Sequence, residues 1–441
     1  MADPSSYVAR QRNIGLKTLG HALPLADGVT GTWISDEADS SIMNLYNYLL
    51  DAARKRVDDA GEDKTAQESL GGALDAELAA FLGARGEGGA AGNRGGEGGG
   101  AEAEAPLPRV VGPLELRVLD WHMANLEYGC SARLDQVSLP YWNQDDVYGG
   151  FGGPHCMVKG GFGAVPESLA VGLDVRLGVP VREVAYSLGG HAPGEGKGTA
   201  GSGPRGGPGC VRVTTASGEV FEASAAVITV PLGCLKAGDV AFSPPLPEWK
   251  EAAIGRLGFG NLNKLILEFP HVFWKHPGPD FFGAALDGGK PARGCCSYFW
   301  NLVDVCGAPV LACLLAGASA SDTETRPVEE LVTHAMGVLR SLFPGAPDPV
   351  ASGVSQWGAE QYTRGSYSYV AVGSSGEDYN VLGRPVEGGL FFAGEGWRDA
   401  GGGGRKCTGV LPSPLPPSSL LDSGLASPIP LVSPRACHPT L

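Results

Sequence analysis

The sequence predicts a chain that mixes helices and strands, and three observations predict it. Apolar residues recur at helical spacing in three segments of the first third. Four short runs rich in Val and Thr follow between residues 181 and 230. Helix and strand patterns then alternate to about residue 342. With 441 residues, 43% of them hydrophobic, the chain can hold two or three domains and a sizeable core.

Residues 1–34 carry turn residues and weak apolar spacing. A helix is predicted from Ser35. Asp36 and Glu37 favour its N-terminus, Ile42, Leu45, Tyr46, Leu49 and Ala53 share a face, and Arg54, Lys55 and Arg56 sit near its C-terminus, where cations are favoured. A second helix is predicted from Thr65, whose hydroxyl forms a capping-box pattern with Glu68; Leu70, Leu74, Leu78 and Leu82 line one face. Residues 86–106 are almost all Gly, Ala and Glu. They cannot bury enough apolar surface to offset the entropy of ordering, which predicts a disordered linker. A third helix is predicted from near Pro113 through Trp121 and Leu126, because proline's missing N–H costs nothing in a first turn. Residues 181–187, 210–216, 219–223 and 225–230 read as strands, with Ser217-Gly218 as a hairpin turn and 188–209 as a Gly/Pro loop. Helices near 246–256 and 328–342 and a strand at 309–315 follow. After Gly396 periodicity is lost, and 397–441 is predicted to be a disordered tail.

The formal charge of -15 argues against a nucleic-acid surface and suits a cationic partner. The 69 glycines and 34 prolines concentrate in a few segments. Ten cysteines show no regular spacing and no C-x-x-C pair, so free thiols are expected rather than a zinc site or a disulfide framework. No signal peptide or membrane-length apolar run is visible. Arg54-Lys55-Arg56 is too short for a convincing nuclear signal.

The most informative stretch is Gly258-Phe259-Gly260-Asn261-Leu262-Asn263-Lys264, followed by the apolar run Leu265-Ile266-Leu267. A lysine at the mouth of a buried strand needs a partner or a lowered pKa. By itself it reads as well as a lysine whose stem is buried and whose head reaches water. Gly196 to Gly201 and Gly201 to Gly206 both match G-x-G-x-x-G. They lie in a Pro-rich loop with no helix behind them, so they lack the strand-to-helix turn that binds a pyrophosphate. Standing alone, Asp145-Asp146 is a solvated acidic pair, Trp300 and Trp357 are core residues, and Gly394-Glu395 is a weak signal.

Taken together, Thr229-Val230-Pro231-Leu232-Gly233, the Lys264 stretch, Gly365-Ser366-Tyr367-Ser368-Tyr369 and Phe391-Phe392-Ala393-Gly394-Glu395 resemble the flavin-dependent amine oxidases. Within them the chain looks most like the plant-type lysine-specific histone demethylases. Asp120 through Tyr128 and Tyr141-Trp142-Asn143-Gln144-Asp145-Asp146 resemble the demethylase stretches at the substrate cleft. The match runs from about residue 113 to residue 395.

The resemblance implies an α/β fold with interleaved FAD-binding and substrate-binding subdomains. It puts a helical part of the substrate subdomain in 1–85 and an amine oxidase domain in 107–396. Within that domain the FAD part covers about 149–259 and 376–396, and the substrate part about 107–148 and 260–375. Both ends of the fold are expected to be incomplete: no βαβ unit with its glycine turn opens the chain, and no closing helix follows Gly396-Trp397-Arg398-Asp399. The chain alone is therefore expected to hold FAD poorly and to expose apolar faces around Val181, Val227, Ile228 and Phe392.

The implied reaction is oxidative demethylation of mono- or dimethyl-lysine on a basic histone tail. Hydride passes from the N-methyl carbon to the flavin, the imine hydrolyses to formaldehyde, and oxygen reoxidises the flavin to give peroxide. Lys264 is implied as the catalytic residue, holding a water against the flavin ring. Val181, Thr229, Val230, Pro231, Trp357 and Glu395 are implied to contact FAD. Asn125, Tyr128, Asp145, Asp146, His155, Trp300 and Tyr367 are implied to line the substrate cleft, with Glu127 nearby and Tyr367 facing the amine. Asn143 stands where an acidic residue is common.

A nuclear location is implied. No metal, membrane or direct nucleic-acid contact is expected. Residues 86–106 cannot form the helical hairpin through which one such demethylase docks corepressors. Two alternatives stay open: a catalytically dead fragment or pseudoenzyme that binds basic peptides, and a polyamine oxidase of the same superfamily.

Overall fold

The structure is a computed structural model that describes residues 4–86, 106–143, 154–187 and 211–395. At its centre is a six-stranded sheet in the order Ala351–Val354, Asn263–Glu268, Val310–Leu315, Cys295–Asn301, Phe281–Ala285, Leu25–Asp27. All neighbours are antiparallel except the last pair, which is parallel. Val310–Leu315 is apolar and buried throughout because both faces of the sheet are covered. Ala312 and Leu314 join the core under the Asp36–Ala60 and Pro113–Cys130 helices. Leu311, Cys313 and Leu315 join the core under the Val328–Leu342 helix. The period of two along a strand sends alternate residues into different cores.

A second unit gathers around the four-stranded sheet Val220–Ala223, Val211–Thr215, Val181–Tyr186, Ala241–Ser243. Beside it, Ala226–Ile228 and Leu390–Phe392 form a parallel pair. The short strands Gly258–Phe259 and Ser368–Tyr369 pair just ahead of the Lys264 strand.

Several expectations are corrected. The first helix begins as predicted, with Ser35 Oγ accepting from Ala38 N at 3.2 Å. It runs on to Ala60, however, so Arg54, Lys55 and Arg56 lie short of its last turn, which holds Asp58 and Asp59. Gly61, at φ +92°, ends it. Thr65 is not a cap: its hydroxyl donates to the carbonyls of Gly61 and Glu62, and Glu68 pairs with Arg56 at 2.8 Å. The next helix starts at Leu70, where Ser69 Oγ accepts from Gly72 N at 3.1 Å. Its apolar face stops short of Leu82, which is exposed.

Residues 1–85 are not only helical. Leu25–Asp27 completes the central sheet, and Leu16–Thr18 pairs with Cys156–Val158. Runs this short give no periodicity to read. Among the expected exposed residues, Val181 and Val227 are exposed, but Ile228 and Phe392 are buried; Phe391 is exposed in register with Val227. The Gly-rich linker, the Gly/Pro loop with both glycine matches, Asp145-Asp146 and the tail fall wholly or almost wholly outside the described residues. Among those described, no helix is long and apolar enough to cross a membrane, and no cluster of His, Cys, Asp and Glu could hold a metal ion.

Candidate active site

Lys264 is the second residue of its strand. Leu265 and Leu267 turn into the core under the Val328–Leu342 helix, so Lys264 and Ile266 turn the other way, toward the Pro113–Cys130 helix. Lys264 is 5% exposed, and its ammonium has no carboxylate partner among the described residues. Burial pulls its pKa down from 10.5 to about 8. The Trp300 ring centroid lies 5.9 Å from Nζ, at the outer edge of a cation–π contact.

Trp300 is buried, and its indole N–H is oriented toward the Tyr298 hydroxyl. Asn125 Oδ1 is buried with no donor among the described residues. One turn further along the same helix, Tyr128 shares a hydrogen bond with Ser297 Oγ at 2.8 Å. The Tyr128 ring stacks on Tyr298, and Tyr298 meets Trp300 edge to face. Tyr367 O–H donates to the Tyr128 carbonyl, which fixes the Tyr367 ring. The Tyr367 carbonyl in turn accepts from Gly260 N at 2.9 Å and Ser131 Oγ at 3.1 Å. Glu395 accepts from Ser368 Oγ at 2.9 Å and from Ser368 N, beside Tyr367. Burial raises the Glu395 carboxyl to about 7, against the pull of the Ser368 hydrogen bonds.

Lys264, Trp300, Tyr128, Tyr367, Asn125, Trp357 and Glu395 are thus linked through a continuous set of contacts and neighbours. Trp357 joins through its N–H, which donates to Asn263 Oδ1 at 3.0 Å. Thr229, Val230 and Pro231 follow the Ala226–Ile228 strand. Glu395 follows its parallel neighbour, and Ala393 N donates to Ile228 O at 3.0 Å. Both therefore stand at the carboxyl ends of parallel strands, where α/β sheets bind ligands. Val181 lies apart, lining an open groove of about 330 Å³ with Arg176, Thr215 and Phe221. His155 is half-buried ahead of the Cys156–Val158 strand, its carbonyl accepting from Leu19 N at 2.9 Å. Asp145 and Asp146 lie outside the described residues.

Sequence reasoning missed Asn261, Asn263, Ser355 and Glu324, which surround the start of the Lys264 strand with hydrogen bonds. The alternation Asn261-Leu262-Asn263 was the one available signal, since it puts both amides on the side away from Lys264. Nothing in the sequence ties Glu324 to them.

Glu127 is a second perturbed carboxyl. It is 5% exposed, and burial lifts it from 4.5 to about 7 although Arg293 Nη1 stands 3.7 Å away. Its folded-state pKa is raised, so its contribution to stability is fully present below about 4.5 and is lost as pH rises through about 7. Glu127→Gln should remove that share of the pH dependence, read as a flatter Tm profile between these two values. An identical profile in the variant would show that Glu127 titrates normally.

A family model described as flavin containing amine oxidoreductase matches residues 101–404. The "Lysine-specific histone demethylase 1 homolog 3" of Arabidopsis thaliana is 44% identical over 408 residues, 90% of this chain and 24% of that protein. The protein of the same name from Oryza sativa subsp. japonica is 34% identical over 403 residues, covering 89% and 43% of the two chains. "Protein FLOWERING LOCUS D" of Arabidopsis thaliana is 33% identical over 400 residues, covering 90% and 44%. The chain therefore spans 24% to 44% of the length of these curated relatives. A solved structure of putrescine oxidase bound to putrescine aligns with a TM-score of 0.60 at 15% identity, covering 96% of this chain and 85% of that one. That likeness shows the fold: mixed helices and strands arranged as in an amine oxidase. On the span of the family model and the identity to its relatives, the chain belongs to the flavin containing amine oxidoreductase family.

Proposed function

We propose that the chain is the oxidase part of an FAD-dependent enzyme that demethylates mono- and dimethyl-lysine on histone tails in the nucleus. The observation that carries this reading is the buried ammonium of Lys264, which has no counter-charge among the described residues and lies 5.9 Å from the Trp300 ring. Buried polar groups are normally paired, and unpaired ones call for a ligand. The residues fit the flavin end of FAD: Lys264, Trp300, the Glu395 carboxylate and the Thr229–Pro231 turn supply a cation, an aromatic ring, an acceptor and backbone at strand ends. For the ADP end, no G-x-G-x-x-G turn joins a strand to a helix among the described residues.

FAD, when bound, accepts the hydride from the carbon next to the amine. The chain's own residues do the rest. Lys264 donates a hydrogen bond to a water at the reacting end and can release a proton above about pH 8. The Tyr367 ring, fixed by its hydroxyl, offers a π face to the methylated amine. Asn125 Oδ1 is free to accept from the substrate peptide. The aromatic wall of Tyr298, Trp300 and Phe281 excludes water.

The test supplies saturating FAD and adds either a dimethyl-lysine histone-tail peptide or a polyamine without oxygen. Bleaching of the flavin absorbance by the peptide, with formaldehyde released in air, is expected. Bleaching by the polyamine alone would favour the polyamine oxidase reading, and no bleaching by either would leave only a peptide-binding protein.

Asp145 and Asp146 are the proposed rim for the basic tail. An exposed pair is worth roughly 0–1 kcal/mol, and a desolvated carboxylate meeting arginine is worth more. Asp145→Asn with Asp146→Asn should weaken peptide binding and flatten its salt dependence. Unchanged affinity and salt slope would make the pair a solvated face.

A further inference from the structure

On the side of the strand away from the Lys264 side chain, a row of hydrogen bonds takes no part in the chemistry above. Glu324 stands in the Thr323–Thr325 turn. Its Oε1 accepts from Asn261 Nδ2, Asn263 Nδ2 and Gly358 N, each at 2.7 Å. Asn263 is fully buried, and its Oδ1 accepts from Ser355 Oγ and Trp357 N, both at 3.0 Å. Ser355 Oγ accepts from Lys264 N at 2.9 Å.

From Lys264 onward, each donor hands its hydrogen to the next group. The Lys264 N–H meets Ser355 Oγ, the Ser355 hydroxyl meets Asn263 Oδ1, and the Asn263 amide N–H meets Glu324. Donors aligned in this way polarise one another, and the row ends on a charge. Three short N–H groups on one oxygen suit a full carboxylate. A neutral carbonyl has two lone pairs and makes weaker bonds.

We propose that Glu324 is a positioning residue for Lys264. It ties the start of the Lys264 strand to the loop carrying Ser355, Trp357 and Gly358, through Asn261, Asn263 and its own bond to Gly358. The functional meaning rests on the amine oxidase reading above. The loop backbone presses against the carboxylate: a Cβ on Gly358 would come within 2.7 Å of Glu324 Oε2 and 2.8 Å of Asn261 Nδ2. While the row is intact, the start of the strand is fixed and Lys264 is held buried on its other face. When the row is cut, the start of the strand can shift, water reaches the ammonium, and Lys264 titrates closer to an ordinary lysine.

The experiment follows the lysine side-chain signals of the 441-residue chain by NMR as pH is raised, without FAD or amine, with the Lys264 signal assigned by Lys264→Met. The unaltered chain is expected to show a midpoint for Lys264 near 8. Glu324→Gln should move that midpoint up by about one pH unit. Ser355→Ala cuts the row next to Lys264 and removes one oxygen; it should move the midpoint the same way, and it decides the matter if Glu324→Gln does not fold. A lower Tm with the Lys264 midpoint unchanged would make the row a purely structural feature and overturn the proposal. Because no cofactor or substrate is present, a failure to oxidise amines would overturn the proposed function and leave this result standing.

Discussion

Lys264→Met should slow amine-driven flavin reduction by about a hundredfold or more, in the range set by removing a positioned proton donor or acceptor. It should also leave the chain at least as stable as before. The pKa of Lys264 is lowered in the fold, so its contribution to stability is present above 10.5 and is lost as pH falls through about 8. At neutral pH the ammonium is therefore a burden, and the fall from 10.5 to about 8 corresponds to about 3 kcal/mol. Methionine has a similar shape and no charge to desolvate. The expected outcome is a variant with raised Tm at pH 7, a Tm profile flatter between pH 8 and 10.5, and almost no bleaching of its flavin by substrate. Unchanged reduction kinetics would remove Lys264 from the chemistry. A fall in Tm would mean that an unseen partner holds the ammonium.

Gly260→Ala should unfold the approach to the site. Gly260 stitches three segments: its N–H donates to Tyr367 O at 2.9 Å, its carbonyl accepts from Ser366 N at 2.8 Å, and the next residue, Asn261, donates to Ser131 O at 2.7 Å. A Cβ at Gly260 would overlap the carbonyl and hydroxyl oxygens of Ser131. Ser131 is itself held at φ +50° at the end of its helix and cannot step back cheaply. We expect a loss of about 3 kcal/mol, at the upper end for overpacking. The loss of activity should exceed what that destabilisation explains, because Tyr367 and Lys264 lie on either side of the displaced segment. Denaturant unfolding and amine oxidation, measured on the same variant, separate the two. A variant as stable and active as its parent would show that the three segments move together.

How much of this could be read beforehand depended on length and parity. The Asp36–Ala60 and Pro113–Cys130 helices were legible because each repeats its apolar pattern over several turns. Leu25–Asp27 was not, since three residues carry no period, and its place in the sheet depends on a partner more than 250 positions away. Thr65 with Glu68 looked like a cap, but the real one is Ser69, because the Glu62–Thr65 turn intervenes. In the candidate site, Lys264, Tyr367 and Glu395 were expected from motifs and Trp300 from the resemblance, and the structure links the four through contacts and neighbours. Glu324 was not expected, because a carboxylate held by amides from distant segments leaves no trace in spacing. His155 and Val181 were read into the site from the same resemblance; the structure sets Val181 at the start of the Val181–Tyr186 strand and His155 just ahead of the Cys156–Val158 strand.

The two faces of the Lys264 strand carry different duties on adjacent residues: Asn263 on one side, Lys264 on the other. This makes the segment from Gly260 to Lys264 tolerant of some changes in composition and intolerant of changes in length. Adding or deleting one residue there would turn the ammonium into the amide row and an amide toward the aromatic wall, undoing both at once. Variation among related chains should therefore appear here as substitutions at constant spacing, and insertions should collect in the stretches on either side.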